Sequence, residues 1–300
     1  MRWSYDIRKD GKQTSFHGNP LITDDLILIG TDHSCAPDGV GHVYAFERST
    51  GKVRWKYRTT SVPTDIVRIG ENVYFGSFQD KWYALKIRTG ELVWKFSTGA
   101  SNEECHFVRS PVADQTYLYL TGLDGVIYSL DAKSGRIAWK KKLPAPASTA
   151  LALKDKMLFV GANDNRIYRL NTETGNTVAE LPVEALPLGR ITLTANGLML
   201  LLENQTERWG YVVSLTTDLK PIWRQKFSPE WASERPTVLG ESVIVGNCRG
   251  EVAALSASDG TSQWKLSLKG CIRSIENSEN RVFIGVQEGT IYAYDLPPKH

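Results

Sequence analysis

The stretch VYAFERSTGKVRW, residues 43–55, decides how the chain reads, because it returns five more times. WYALKIRTGELVW (82–94), IYSLDAKSGRIAW (127–139), IYRLNTETGNTVA (167–179), VVSLTTDLKPIW (212–223) and VAALSASDGTSQW (252–264) are copies, and a seventh begins as IYAYDLPPKH at Ile291. The tryptophan slots fall at 55, 94, 139, 223 and 264, with Ala179 in the fourth unit, so successive slots are 39, 45, 40, 44 and 41 residues apart. That is the length of a four-stranded propeller blade and too long for a leucine-rich repeat.

Working outward from each copy, the flanks are strands. A β-branched or aromatic run ending near a glycine precedes every unit, as in LILIG (26–30), VYFG (73–76), LFVG (158–161) and VIVG (243–246). A short Gly/Asp/Asn loop follows, then period-two alternation, which marks half-buried strands joined by hairpins. The Thr-Gly or Ser-Gly turn comes next, where Gly51, Gly90, Gly135 and Gly175 supply the positive φ of a tight turn. A last strand carries the tryptophan. No segment of helical period appears. Trp3-Ser4-Tyr5 matches Trp55-Lys56-Tyr57, so the first residues are expected to pair with the Ile291–Asp295 strand and close the ring, hiding two sheet edges. The expected fold is all-β: one domain over residues 1–300, a seven-bladed propeller of four-stranded antiparallel blades.

The spacing Ala45, Glu47, Gly51, Trp55, repeated as Ala84, Lys86, Gly90, Trp94, as Ser129, Asp131, Gly135, Trp139 and as Ala254, Ser256, Gly260, Trp264, resembles the tryptophan-docking repeat of pyrroloquinoline-quinone-type propellers. The resemblance covers essentially the whole chain. It implies one tryptophan per blade wedged between neighbouring sheets, each burying ~150–250 Å². The units with Ala179 and with Leu219 in place of the turn glycine are expected to be the less regular ones.

The same resemblance does not carry the quinone chemistry, because fold does not imply function. Quinone dehydrogenases of this type resemble one another in eight blades, an adjacent Cys–Cys disulfide and a calcium held by Glu, Asn and Asp. This chain reads as seven units and its cysteines, Cys35, Cys105, Cys248 and Cys271, are far apart. No cofactor is expected. A second similar protein, the outer-membrane assembly lipoprotein built on these repeats, implies a binding platform, and other members are sensors and scaffolds. The nucleophile elbow, the P-loop, HExxH and GxGxxG after a strand are all missing from the sequence. His33, Cys35 and His42 are three ligand types close together, but the loop 31–42 is rich in Gly, Pro and Asp and reads as an exposed insertion rather than a zinc site.

With 36 basic and 33 acidic residues mixed along the chain, the net charge of +3 excludes a concentrated basic stripe for nucleic acid. Lys140-Lys141-Lys142 reads as a solvated strand end. The opening residues Met-Arg-Trp-Ser-Tyr-Asp-Ile-Arg lack the apolar run of ~7–15 residues that a secretory leader needs. No stretch of the sequence is apolar enough to span a membrane, the longest uninterrupted apolar run, Leu198 to Leu202, being five residues. The expectation is therefore a cytoplasmic, monomeric protein with free thiols.

Antiparallel order puts every Thr-Gly turn on one face, called lower, and the B–C and D–A connections on the upper face. Upper connections vary in length, with 31–42 and 203–210 as long B–C insertions and 98–108, 180–190 and 228–235 as long D–A crossings. Variable loops on a rigid scaffold are where binding resides. Trp209 and Trp231, with Arg208, Glu234, Arg235, Phe107 and Phe78, have the composition of a protein-binding surface. The bland alternative is that the two tryptophans pack to steady long loops. Trp82 reads as core. Inner-strand positions carry His17 and Asn19, Thr64 and Asp65, Arg109 and Ser110, Ser148 and Thr149, Arg190, Glu234 and Arg235, and Arg273 and Ser274. Arginines on four of the seven units favour an anion in a central funnel, unless Arg235 simply pairs with Glu234 or Asp65. The functional expectation is a non-enzymatic scaffold that binds a protein, an assembly component or a toxin it neutralises. The alternative is a small anionic ligand or substrate in the funnel.

Overall fold

The computed structural model describes residues 2–11, 15–32, 39–99, 109–204, 206, 209–227, 235–278, 281–287 and 290–295. They form two compact units, Met1–Pro146 with Thr172–Asn176, and Ala147–Asn171 with Thr177–His300.

The first unit holds three four-stranded antiparallel sheets, each a meander in which consecutive strands pair. They are β1–β4 (Ser15–Ile22, Leu26–Asp32, Gly41–Glu47, Val53–Thr59), β5–β8 (Val67–Ile69, Asn72–Ser77, Lys81–Lys86, Leu92–Ser97) and β9–β12 (Val112–Ala113, Tyr117–Thr121, Val126–Asp131, Ile137–Lys142). The second unit holds β14–β17 (Ala152–Lys154, Met157–Ala162, Arg166–Asn171, Thr177–Pro182), β18–β21 (Leu186–Leu193, Gly197–Asn204, Trp209–Thr216, Pro221–Phe227), β22–β25 (Thr237–Leu239, Ser242–Gly246, Glu251–Ser256, Ser262–Ser267) and β26–β28 (Ile272–Ser278, Arg281–Val286, Ile291–Asp295). A short β13 (Thr149–Ala150) pairs in parallel with Gly189 and Arg190 of β18.

There is thus one sheet for each repeat, and the sheets are blades of the expected propeller type. In the complete blades the second and third strands are largely buried on both faces, β2 of the first blade excepted, while the fourth alternates. The apolar run of each repeat is the second strand, but the half-buried alternation expected of the third strand is found in the fourth, the third being buried on both faces. The core lies between sheets, as in the group formed by Val43 and Ala45 with Val73, Phe75 and Leu85.

The tryptophan repeat is a joint, and five copies share one geometry. Trp3, Trp55, Trp94, Trp139 and Trp223 donate Nε1–H to the carbonyls of Arg48, Ile87, Ala132, Thr172 and Ala257, at 2.7–3.0 Å. Each acceptor lies three residues before a turn glycine: Gly51, Gly90, Gly135, Gly175 or Gly260. The indole ring lies flat on that glycine, whose φ is 70–75°. A Cβ on Gly90, Gly135, Gly175 or Gly260 would come within 2.5–2.7 Å of the ring. Glycine is therefore required twice, for the backbone angle and for the close approach. Trp139 closes in this way on Thr172–Asn176, which belongs to the first unit although it is the turn of the fourth sheet.

Several expectations need correction. Residues 2–6 form no strand, and the ladder of Trp3–Tyr5 with Ile291–Asp295 is not among the pairings of the described residues; the seventh sheet has three strands there. Trp3 nonetheless occupies a tryptophan slot, against Gly51 and Arg48. A single 3-10 turn, Ile7–Asp10, follows it, capped by the Asp6 carboxylate accepting from the Arg8 N–H. Tyr5 and Tyr44 donate to Asp10, tying that turn to the first blade. The stretches 203–210 and 180–190 are not long insertions. Strands β19 and β20 extend to Asn204 and from Trp209, and β17 and β18 leave only residues 183–185 between them.

Candidate functional site

Inner strands are stitched blade to blade by short polar side chains. In the first unit the Asn19 N–H donates to Asp65 Oδ1 at 2.8 Å, and the Asp65 N–H donates to Ser110 Oγ at 3.0 Å. In the second, Thr192 Oγ1 donates to the Pro236 carbonyl at 2.6 Å and Thr237 Oγ1 to the Ile275 carbonyl at 2.8 Å. Asp65 thus serves the scaffold, although its place just before the inner strand β5 reads equally as a funnel ligand. His17 lies on β1 and Arg109 precedes β9.

Within the second unit, Arg190 lies on β18, Arg235 two residues before β22 and Arg273 on β26. Arg235 is bound to Glu276 at 2.8 Å, a partner not expected from the sequence; Glu234, which was expected, lies outside the described residues. Glu276 was not visible as a partner because it belongs to the next repeat, 41 residues on. Arg273 Nε and Nη2 donate to Gln287 Oε1 at 3.1 and 2.6 Å. Arg273 is exposed, and its bonds go to a neutral amide, so its charge is not cancelled there. Arg190 is half-buried.

Of the aromatic candidates, Phe78 is only 6% exposed and belongs to the core rather than to an interaction surface. Its N–H donates to the Ser61 carbonyl, which turns the hairpin inward. Trp209 is half-buried, 5.1 Å from Tyr211 in an edge-on contact, within the apolar group that joins the fourth and fifth sheets. Arg224 stacks 5.1 Å over Tyr211 and pairs with Glu184 at 2.5 Å. Trp82 is fully buried, as a core residue should be. Phe107, Arg208, Trp231 and Glu234 lie outside the described residues, as do His33 and Cys35. His42 is buried on β3, 5.8 Å from Tyr44, and burial holds its imidazole below the usual histidine range.

Two features of the upper hairpins were not read from the sequence. The first is Asp80, fully buried, with Oδ1 accepting from Trp82 Nε1 at 3.3 Å and Oδ2 from Thr98 and from the Leu123 N–H. Burial pushes its carboxyl up to about 6. Asp124 and Asp164, which align with Gln79, each accept at 2.6 Å from a tyrosine four residues on, Tyr128 and Tyr168. Asp80 aligns instead with Gly125 and Asn165, so the repeat gave no signal for it, and its carboxylate reaches the Leu123 N–H of the next blade. The second is a disulfide between Cys248 and Cys271, joining the sixth blade's upper hairpin to the start of β26. It corrects the expectation of free thiols for this pair, while Cys35 and Cys105 lie outside the described residues. The two lie 23 residues apart with no motif spacing, so only the fold brings them together.

Blades clasped by tryptophan, with variable hairpins at the opposite end, define a tryptophan-docking β-propeller. Comparison with known proteins sharpens this. The chain matches the family described as outer membrane protein assembly factor BamB over residues 1–113, 83–187 and 209–297, and it belongs to that family. It is 25% identical over 170 residues to the outer membrane protein assembly factor BamB of Legionella pneumophila, covering 52% of this chain and 41% of that protein. It is also 25% identical over 201 residues to the dehydrogenase subunit of a quinone alcohol dehydrogenase of Gluconacetobacter polyoxogenes, covering 58% of this chain and 25% of that protein. The chain therefore spans well under two thirds of these relatives. Among solved structures, BamB from Moraxella catarrhalis superposes with a TM-score of 0.75 at 20% identity, over 95% of this chain and 84% of that one. That likeness supports the propeller fold, whose seven blades are counted in this chain's own sheets.

Proposed function

We propose that this protein is a non-enzymatic scaffold that binds another protein through the upper hairpins and crossings. One observation carries the reading. Five tryptophan joints shut the lower turns into one repeated geometry, which leaves the upper connections as the surface free to differ from blade to blade. Rigid scaffolds with variable loops at one end are built for recognition. Relatives named as outer membrane assembly factors favour an assembly component over a toxin-neutralising partner. The surface proposed comprises Trp209, Trp231, Arg208, Glu234, Arg235 and Phe107, with the protein acting as a monomer. The Cys248–Cys271 disulfide favours an oxidising compartment over the cytoplasm that the cysteine spacing suggests.

The test is affinity capture from the native source with the intact chain, beside a Trp231→Ala/Arg235→Ala variant of equal melting temperature. A stoichiometric protein retained by the parent and lost by the variant supports the reading. Equal retention by both overturns the upper-face assignment.

A second reading has one observation in its favour: among the described residues, the exposed Arg273 guanidinium is held by a neutral amide. With Arg190 on the inner strand two blades away it suits a small carboxylate or phosphate ester. Such a ligand raises the melting temperature of the parent, and Arg190→Ala abolishes the rise.

A further inference from the structure

Cys248 and Cys271 differ in everything except their bond. Cys248 sits at the tip of the β23–β24 hairpin and is exposed. Cys271 leads into β26 and is 8% exposed. The two loops are also held together without the sulfurs. The Ile272 N–H donates to the Asn247 carbonyl at 3.1 Å, and the Leu268 N–H to the Gly250 carbonyl at 2.8 Å. Buried Asn247 shapes the hairpin from inside, its Oδ1 accepting from the N–H groups of Arg249 and Glu251 at 2.9 and 3.0 Å. A disulfide whose flanking backbone is already bonded can open without losing the loops.

The bond also touches the inner strand. The Cys271 carbonyl accepts the Gln287 N–H at 2.9 Å, and the Gln287 side chain holds the Arg273 guanidinium. We propose that the Cys248–Cys271 disulfide is a thiol-exchange site, entered at Cys248, whose state sets the hold of Gln287 on Arg273. The reductant is a dithiol. Its thiolate attacks Cys248 Sγ, the S–S bond breaks, and the electron pair leaves on Cys271 as a thiolate that takes a proton from water. The second thiol of the reductant then displaces Cys248, closing its own disulfide. The protein gains two electrons and two protons and ends as two thiols. Thiol exchange is governed by access and by which sulfur is attacked, and the asymmetry in exposure selects Cys248.

The experiment uses the full chain, titrated with dithiothreitol, quenched by alkylation and mapped by peptide mass, so that this pair is separated from Cys35 and Cys105. Near-ultraviolet circular dichroism is followed in parallel. A second arm uses glutathione with acid quenching to trap the mixed disulfide, and a third measures amide exchange at Gln287. The pair is expected to open with the dichroism retained, the glutathione to be found on Cys248, and the Gln287 amide to exchange at least about tenfold faster after reduction. Cys248→Ser should exchange at Gln287 as the reduced parent does. Opening only together with loss of dichroism would make the bond a structural staple and overturn the proposal. So would glutathione on Cys271, unchanged exchange at Gln287, or free thiols at both positions before reductant is added.

Discussion

Ala179 and Leu219 occupy the two halves of a joint that elsewhere is made by a tryptophan and a glycine. Ala179 stands in the tryptophan slot of β17, and Leu219 in the turn of the next blade, where Gly51, Gly90, Gly135, Gly175 and Gly260 stand in others. Both belong to the apolar group between the fourth and fifth sheets, with Leu219 buried there at a φ of 61°. That turn is one residue shorter than the rest and closes by Leu219 N–H to the Thr216 carbonyl. Each departure alone would be a defect, a cavity in one case and a clash in the other. Together they fill one space. Trp209 and Tyr211 join the same group, so the aromatic contribution to this joint comes from the upper end.

The coupling is measurable. Ala179→Trp alone should destabilise by ~1–3 kcal/mol through overpacking against Leu219. Leu219→Gly alone should lose a buried side chain at a similar cost, partly offset by relief of a backbone strained by ~1–2 kcal/mol. The double variant should lie closer to the parent than the sum of the singles, with a coupling of at least about 1 kcal/mol in urea denaturation. Additive losses would show that the two positions do not share a joint.

The regular joints predict an asymmetry between glycines. Gly135→Ala puts a Cβ 2.7 Å from the Trp94 ring at a φ of 70°, whereas Gly70→Ala has a φ of 58° and open space around it. Denaturation should show Gly70→Ala costing only the backbone term of ~1–2 kcal/mol and Gly135→Ala clearly more. Trp94→Phe, which removes one of two donors to the Ala132 carbonyl and leaves the Tyr74 hydroxyl at 3.0 Å, should cost ~0.5–1.5 kcal/mol.

How much of this was legible depended on repetition. The tryptophan, the turn glycine and the strand alternation recur in phase, so period alone placed Trp55, Trp94, Trp139 and Trp223 in their slots. What occurs once was not legible. Glu276 meets Arg235, and Cys271 meets Cys248, across blade boundaries that carry no local spacing signal. Phe78 looked like a surface aromatic because it sits in a hairpin, and only the inward turn of its backbone buries it. The 203–210 stretch looked like a loop because it is polar, yet β19 and β20 take up its first two and last two residues.

Asp80 makes stability depend on pH. Its carboxyl is raised from 3.8 to about 6 by burial, so the native state holds a proton that the unfolded chain has released. Stability from this group is present below pH 4 and declines as pH rises through about 6. Asp80→Asn lacks that decline. Relative to the parent, the variant should gain on the order of 2 kcal/mol between pH 4.5 and 7.5, read from denaturation at both values. A constant difference would contradict the buried, proton-holding Asp80.

The Arg235–Glu276 pair is half-exposed and should matter little for folding. Arg235→Ala is expected to cost less than about 1 kcal/mol in thermal denaturation. A larger loss would recast Arg235 as a structural residue and remove it from the binding surface.

The most direct test compares the two faces with the captured partner. Its affinity is measured for the parent, for Trp231→Ala/Arg235→Ala on the upper connections, and for Lys133→Glu/Arg136→Glu in a lower turn. The upper variant should bind at least about tenfold more weakly, as loss of a tryptophan–arginine hot spot implies, and the lower variant should match the parent. Weaker binding by the lower variant alone would contradict the account.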